Sequence, residues 1–195
     1  PKVIMDKFGE FFEITDAVND VGVPHEMFPA LTSDEVMLNM IEAYIMKKDY
    51  DKALTNFNIW MLNFTSYTIN VTMDDINRVY GEYQEDELTG ESTGMKYYTP
   101  TEPTPKKELH PDFTVEKGDQ ENFLQCLLHC RRIMTLHEGL RWFDIKRYGM
   151  TIYRRTIDGS GDITVTDTMN VDDPRRAIQL PASVIKAGLE ANPRK

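Results

Sequence analysis

The feature that most constrains the fold is a pair of adjacent apolar patterns, each repeating at the spacing of an α-helix. The first pattern begins at about Ser33, the second ends near Asn63, and the polar residues 47–49 separate them. Apolar side chains three and four residues apart form one helix face that other residues must cover. The pattern therefore predicts a helical hairpin over 33–63, packed against further helices because a single hairpin cannot bury both of its faces.

Part of this hairpin matches the spacing of the tetratricopeptide repeat, through Tyr44, Ala53 and Phe57. In that repeat a small residue lets the two helices approach, and aromatic side chains fill the space beside it. Trp60 stands where the repeat usually has a small residue, and no second unit with the same residues follows. A tetratricopeptide-like hairpin is the favoured interpretation, and a generic helical hairpin is the alternative.

The rest of the chain indicates a mainly α protein with a little antiparallel sheet and long loops. Capping, turn and periodicity signals predict these further elements. In chain order they are an extended segment over 8–14 followed by a loop, a helix over 73–83, a loop insertion over 84–118, a long helix over 119–149, a small antiparallel β-hairpin over 151–168, and a short helix between Pro181 and Pro193.

The charge balance excludes one class of partner. The 195 residues include 32 acidic and 22 basic side chains, which gives a formal net charge of −10. Binding to nucleic acid requires a clustered excess of Lys and Arg that neutralises phosphates, so no nucleic-acid partner is expected. The hydrophobic fraction of 41% fits a packed globular domain, and no apolar run approaches the roughly 18 residues of a membrane-spanning helix.

The densest sequence signal lies near the end of the predicted long helix. Four charged residues repeat there at three-residue spacing, which would make them neighbours on one helix face: Glu138, Arg141, Asp144 and Arg147. Trp142 supplies apolar surface beside them. The pattern fits either an anion site or a partly buried ladder of ion pairs that fixes the end of the helix. The structural role is favoured, because nothing in the pattern requires a chemical step.

The best candidates for ligand contact are two aromatic residues in the loop insertion, Tyr97 and Tyr98. Flat aromatic rings stack on sugar faces, and ordering them costs little side-chain entropy. The alternative is that the two rings anchor the loop to the body of the protein.

No catalytic motif is recognised in the sequence, so neither a catalytic residue nor a cofactor is expected. Cys126, Cys130 and His137 can share one helix face, with His129 next to them, and such soft ligands can bind zinc. Packing of the cysteines in the core is favoured, because a closed zinc site needs a fourth ligand. A metal-dependent enzyme built on these residues is the alternative from another functional class.

Three blocks of sequence, in the right order, carry a resemblance to a known family. They span 34–58, with Glu42-Ala43-Tyr44; 131–149, with Arg141-Trp142-Phe143-Asp144-Ile145; and 178–193, with Ile178-Gln179-Leu180-Pro181. Together they resemble the C-terminal part of the SusD/RagB family, the outer-membrane nutrient-binding lipoproteins of Bacteroidetes.

The resemblance implies a SusD-like fold and a non-catalytic protein on the outer face of the outer membrane. Such a protein acts as the lid of a SusC-type TonB-dependent transporter and captures oligosaccharide or peptide. The resemblance also implies a longer protein, whose N-terminal half carries a signal peptide and a lipid anchor. Ligand-contacting residues vary across the family, so no binding site is carried over by motif. A tetratricopeptide-type adaptor that binds peptide on a helical surface is a further alternative.

Overall fold

The architecture is mainly α, with six helices and three small antiparallel strand pairs in the described part of the chain. A computed structural model describes residues 9–27, 31–66, 68–136 and 138–194. Among these residues, every helix is too short or too polar to cross a membrane. The elements are β1 (Gly9–Asp16), β2 (Val21–Met27), α1 (Ser33–Met46), α2 (Tyr50–Phe64), α3 (Met73–Tyr80), β3 (Gln84–Glu85), β4 (Ser92–Thr93), α4 (Asp119–Met134), α5 (Arg141–Arg147), β5 (Ile152–Ile157), β6 (Ile163–Met169) and α6 (Ala182–Lys186).

The predicted helical hairpin is present as α1 and α2, which pack against each other and against other helices. The Asp49 side chain caps α2 by accepting a hydrogen bond from the backbone N–H of Lys52. The Phe57 ring meets Phe123 of α4 edge to face, with 5.5 Å between ring centroids. The buried core joins the hairpin to α4, with contributions from Leu38, Ile41, Ile45, Ala53, Phe57, Trp60, Phe123, Leu124, Leu127 and Leu128.

The third helix is shorter than the predicted 73–83 and ends at Tyr80. It begins with a complete capping box, in which Thr72 and Asp75 satisfy each other's backbone N–H groups. At its other end, the buried Lys106 ammonium donates to the carbonyl oxygens of Tyr80 and Gly81, at 2.6 and 2.7 Å. Gly81 also accepts the backbone N–H of Met95 at 3.2 Å, so residues of the following loop satisfy carbonyls at this helix end.

The prediction of one long helix over 119–149 is wrong, because the chain breaks between α4 and α5. Thr135 donates its hydroxyl back to the Arg131 carbonyl at 2.9 Å, and Gly139 has a φ of +77°. That left-handed conformation favours glycine and ends regular helical hydrogen bonding. The charged residues after the break keep helical spacing, which is why the sequence pattern runs on through it.

The N-terminal segment also differs from its prediction. The extended segment over 8–14 is confirmed from residue 9 onward as β1, but the predicted loop after it contains β2, which pairs antiparallel with β1. Residue 8 lies outside the described residues. Pro24 stands opposite Phe12, which a two-stranded pair tolerates because a proline can occupy an edge position. The Asp16 carboxylate accepts two backbone N–H groups and so stabilises the connecting turn.

The predicted C-terminal hairpin is confirmed as β5 and β6. In its turn, the Asp158 carboxylate accepts the backbone N–H groups of Ser160 and Asp162 at 2.9 and 3.0 Å. The pairing register shifts between Arg154 and Arg155, which is the mark of a β-bulge. Arg154 is exposed, whereas Arg155 is partly buried and lines a cavity described below.

Candidate functional site

A network of buried charges ties α1, α4 and α5 together. The Arg131 guanidinium on α4 donates to Glu42 of α1 at 2.7 Å and to Asp144 of α5 at 2.8 Å. Glu42 also accepts from the Arg147 Nε at 2.8 Å and from the Tyr148 hydroxyl at 2.6 Å. The side chains of Arg131, Glu42 and Asp144 are 11%, 9% and 5% exposed, so this is a desolvated network.

The direction of the Glu42 pKa shift shows that the network compensates the negative charge of this buried carboxylate. Burial alone would raise the pKa of Glu42, but Arg131, Tyr148 and Arg147 outweigh burial and lower it. Burial and the Glu42 carboxylate both raise the pKa of the Tyr148 hydroxyl, which therefore stays protonated as a donor. Glu42 thus has both opposite charge and hydrogen-bond donors around it, and removing one partner would leave a charge uncompensated at the junction of three helices.

The Arg141–Asp144 pair of the expected three-residue ladder is present, but it is not the main contact of Asp144. Arg141 meets Asp144 at 3.3 Å, but the main partner of Asp144 is Arg131 on another helix. Arg147 reaches Glu42 instead of Asp144. The charges of α5 therefore pair with residues of α4 and α1 as well as along their own helix.

A wide groove of about 1330 Å³ borders this network. Its lining includes Glu42, Arg131 and Asp144, together with the aromatic side chains of Trp142 and Phe143. Phe143 is 67% exposed. Because Glu42, Arg131 and Asp144 are already paired, a charged ligand would have to displace these ion pairs to bind them.

Tyr97 is engaged with the helical body. Its hydroxyl donates to the Glu121 carboxylate at 2.8 Å and accepts from the Lys117 ammonium at 2.7 Å. The Lys106 ammonium lies 4.7 Å from the centre of its ring. Burial raises the pKa of the Tyr97 hydroxyl. These contacts join the loop insertion to α4, as the anchoring interpretation of this residue expects.

Tyr98 has different surroundings. Its ring stacks on Tyr153 of β5, with 6.1 Å between centroids and 22° between ring planes. The Lys107 ammonium lies 3.0 Å from the centre of the Tyr98 ring. The backbone N–H of Tyr98 donates to the Lys106 carbonyl at 2.8 Å, which fixes the loop locally. The two rings therefore form a stacked aromatic pair.

This aromatic pair lines an open cavity of about 440 Å³. The cavity lies between the loop insertion, α4, α5 and the start of the C-terminal hairpin. Its lining residues are Tyr98, Pro103, Thr104, Pro105, Lys107, Arg132, Arg141, Ile145, Met150, Thr151, Ile152, Tyr153 and Arg155.

A buried glutamine places the loop side of this cavity. Gln125 of α4 accepts the backbone N–H of Lys107 at 3.0 Å and donates to the Lys107 carbonyl at 2.5 Å. Gln125 is 2% exposed, so α4 fixes the loop at this residue from the protein interior. On the opposite strand, Arg155 donates to the Pro100 carbonyl at 2.7 Å and holds the loop from the other side. The cavity walls are thus hydrogen-bonded to regular elements.

The proposed zinc ligands lie on α4 without forming a recognisable metal cluster. Cys126 is buried and Cys130 is partly buried, and a hydrogen bond with Cys130 together with burial raises the pKa of the Cys126 thiol. The His129 Nδ1 lies 2.7 Å from the Tyr80 hydroxyl. His137 lies outside the described residues. Among those that are described, no three His, Cys, Asp or Glu side chains are grouped closely enough to hold a metal ion.

Several residues of these sites carried no local signal in the sequence. Glu42 is 89 residues from Arg131, and Tyr153 is 55 residues from Tyr98, so neither contact follows from helical or strand spacing. The block 131–149 includes Arg131 and Arg132, but only the family resemblance pointed to them.

No family model, curated protein or solved structure matches this chain.

Proposed function

We propose that this chain is part of a SusD/RagB-type protein that binds oligosaccharide without catalysis. In this proposal the protein lies on the outer face of the outer membrane, held by a lipid anchor outside this chain. It acts as the lid of a SusC-type TonB-dependent transporter and passes its ligand inward. The observation that carries the binding function is the Tyr98–Tyr153 pair, which lines an open cavity.

The geometry of this aromatic pair suits a sugar ring. The parts of the two rings that line the cavity offer apolar aromatic surface, and the apolar face of a sugar can pack on such a surface. Their stacking on each other, and the Lys107 ammonium over Tyr98, limit the freedom of the rings before a ligand arrives. A preorganised site loses less entropy on binding, which favours affinity.

The proposed membership of the SusD/RagB family is supported by contacts between two of the resembling sequence blocks. Glu42 belongs to the first block, and its partners Arg131 and Arg147 belong to the second. A tetratricopeptide-like arrangement of α1 and α2 is supported by the completely buried Ala53 and by Phe57, which is 1% exposed. These are the small and aromatic positions that the repeat uses to bring two helices together.

The test is equilibrium binding of the protein to panels of oligosaccharides and peptides. We expect oligosaccharide binding, and we expect Tyr98→Ala or Tyr153→Ala to weaken it by about tenfold, the order expected for loss of one aromatic stacking contact. Tyr83→Ala is the matched control, because Tyr83 is also a loop tyrosine beside a lysine, Lys96, but does not line the cavity. Its affinity should equal that of the wild type.

Two results would contradict the proposal. Oligosaccharide affinity that is unchanged in both cavity variants would remove the aromatic pair from the binding site. Binding of peptides with no oligosaccharide binding would replace the glycan by a peptide cargo and favour a RagB-like protein or a tetratricopeptide-type adaptor.

A further inference from the structure

Positive charge is concentrated in the cavity beside Tyr98, although the protein as a whole is strongly acidic. Four basic side chains line this cavity, and among the described residues no Asp or Glu side chain lines it. The formal net charge of the chain is −10, so such a cluster is opposite in sign to the average surface. The four basic residues come from the loop insertion, α4, α5 and β5: Lys107, Arg132, Arg141 and Arg155.

In the described part of the chain, three of these four cations have no carboxylate partner. The Lys107 ammonium donates to the Thr104 carbonyl at 3.2 Å, and Arg155 donates to the Pro100 carbonyl. Arg132 is exposed and makes no hydrogen bond or ion pair within the described part of the chain. These contacts satisfy some donors but leave the positive charges uncompensated.

Arg141 is the exception, and its pairing is incomplete. It meets Asp144 at 3.3 Å, while Asp144 makes a shorter contact of 2.8 Å with Arg131. The remaining donors of Arg141 include one 3.3 Å from the Met150 sulfur, which is a weak acceptor. A guanidinium presents five donors in a planar fork that matches an oxyanion, so Arg141 retains capacity to bind one.

We propose that this cavity binds an oxyanion, and that the ligand is an acidic oligosaccharide whose sulfate ester or carboxylate meets the basic cluster while a sugar ring lies on Tyr98 and Tyr153. The identification of the sugar rests on the function proposed above. The anion site itself rests only on the charge and geometry of the cavity. Charge-assisted hydrogen bonds to arginine are stronger than neutral ones and fix the orientation of the bound group.

The protonation behaviour of the cavity agrees with the binding of an anion. Burial, together with Arg132, Arg141 and Arg155, lowers the pKa of Lys107 to about 7. Burial and two of the same arginines lower the pKa of His129, which lies on α4 near this cluster. Bound negative charge offsets such like-charge repulsion and favours the protonated form of Lys107.

Inorganic sulfate is the probe for the anion site, because its charge does not change near neutral pH. Calorimetric titration at about pH 6, with chloride keeping the ionic strength constant, should give saturable binding of one sulfate per chain. Arg132→Gln should weaken this binding by about tenfold, the effect of losing one charge-assisted contact. Arg132 is exposed and without a partner in the described residues, so this variant should fold as the wild type does.

Arg154→Gln is the matched control. It removes the same charge from an exposed neighbour of Arg155 that does not line the cavity, and it should leave the sulfate affinity unchanged. The absence of saturable sulfate binding would overturn the anion site. Equal affinities of the two variants would do the same, because binding would then follow overall charge and not this cavity.

A second measurement separates this inference from the proposed function. Oligosaccharides that share one backbone but carry a sulfate ester, a carboxylate or no charge are compared on the same protein. Tighter binding of the charged forms, reduced by Arg132→Gln, supports the inference. If the neutral form binds equally well and sulfate does not bind, the inference fails and the proposed function stands. If sulfate binds and no oligosaccharide does, the anion site stands and the proposed function fails.

Discussion

Two consecutive arginines on α4 have opposite electrostatic surroundings. The Arg131 side chain is only 11% exposed and pairs with two carboxylates, Glu42 and Asp144, which belong to two other helices. Arg132 is exposed, pairs with no carboxylate in the described residues, and lines a cavity with three further cations. Successive residues of a helix point about 100° apart, so neighbours in sequence can serve two separate sites.

The difference between these regions suggests a division of roles. Charges that are buried and mutually compensated hold α1, α4 and α5 together, and removing one partner leaves another uncompensated inside the protein. Charges that share one sign and border open space contribute little to folding, and they attract an oppositely charged group. Arg141 contacts both regions, since it meets Asp144 of the network and lines the cavity.

The largest expected effect comes from the buried network. Arg131→Gln removes the charge that compensates Glu42 and Asp144, so we expect the free energy of unfolding to fall by about 3–5 kcal/mol. Urea-induced unfolding followed by circular dichroism measures this change. Arg132→Gln is the control with the same substitution, and its unfolding free energy should stay within about 0.5 kcal/mol of the wild type. A loss below about 1 kcal/mol in Arg131→Gln would show that the network is not structurally important.

A smaller effect is expected from the acidic member of the same network. Glu42→Gln keeps the shape but removes a negative charge that meets two arginines, and it should lower the unfolding free energy by about 2 kcal/mol. Its pH dependence is a sharper test. The pKa of Glu42 is lowered in the folded protein from the ordinary value of 4.5, so the unfolded state binds a proton more readily. The stability from this group is present above about pH 4.5 and is lost as the pH falls through the folded pKa.

Urea unfolding at a series of pH values between neutral and acidic conditions measures this contribution. The wild-type unfolding free energy should fall below about pH 4.5 more steeply than that of Glu42→Gln, which lacks the titrating carboxylate. Parallel curves for the two proteins would be inconsistent with a compensated Glu42 carboxylate.

Sulfate binding in the cavity should depend on pH in a higher range than the contribution of Glu42 to stability. The pKa of Lys107 is lowered to about 7, so this side chain loses its proton as the pH rises from 6 to 8. If the protonated form binds the anion, sulfate affinity should fall by up to about tenfold over this range. Calorimetric titration of the wild type and of Lys107→Met with sulfate, between pH 6 and 8, measures this pH dependence. The variant should bind sulfate more weakly at about pH 6 and vary less with pH; an equal pH dependence in both proteins would exclude Lys107 as the cause.

The smallest effect concerns the turn that separates α4 from α5. Gly139→Ala adds a Cβ that has no atom of the described residues within 4 Å, but at a φ of +77°. Backbone strain alone should therefore lower the unfolding free energy by about 1 kcal/mol. Gly159→Ala is the control, since its added Cβ also meets nothing and its φ lies outside the left-handed region. Equal urea-unfolding free energies in the two variants would indicate that the turn does not depend on its glycine.

Local patterns in the sequence predict the parts of this fold that are made locally. The periodic apolar residues predict α1 and α2, and alternation around a Gly-rich turn predicts β5 and β6. The same reasoning misses the break between α4 and α5, because the charges of 138–147 keep helical spacing across the left-handed Gly139. Local patterns also fail to predict β2. Gly22 and Pro24 are typical of loops, but a two-stranded pair can accommodate them because both of its strands are edges.

The two charged regions depend on contacts that no local pattern encodes. Three-residue spacing indicates which charges could pair along one helix, but Arg147 pairs with Glu42, 105 residues earlier. The cavity takes its basic residues from four separate segments, so its net positive charge emerges only when the chain folds. Of the two loop tyrosines, Tyr98 lines this cavity whereas Tyr97 joins the loop to α4, a distinction set by neighbours distant in sequence.

The most direct test of this division of roles is urea unfolding of Arg131→Gln and Arg132→Gln, each with and without a few millimolar sulfate. A ligand that binds only the folded protein raises the free energy of unfolding, and comparing variants cancels the general effect of the salt. We expect Arg131→Gln to be strongly destabilised yet still stabilised by sulfate, and Arg132→Gln to match the wild type without sulfate and to lose most of the gain with it. Equal gains in both variants, or a large loss of stability in Arg132→Gln, would contradict the account.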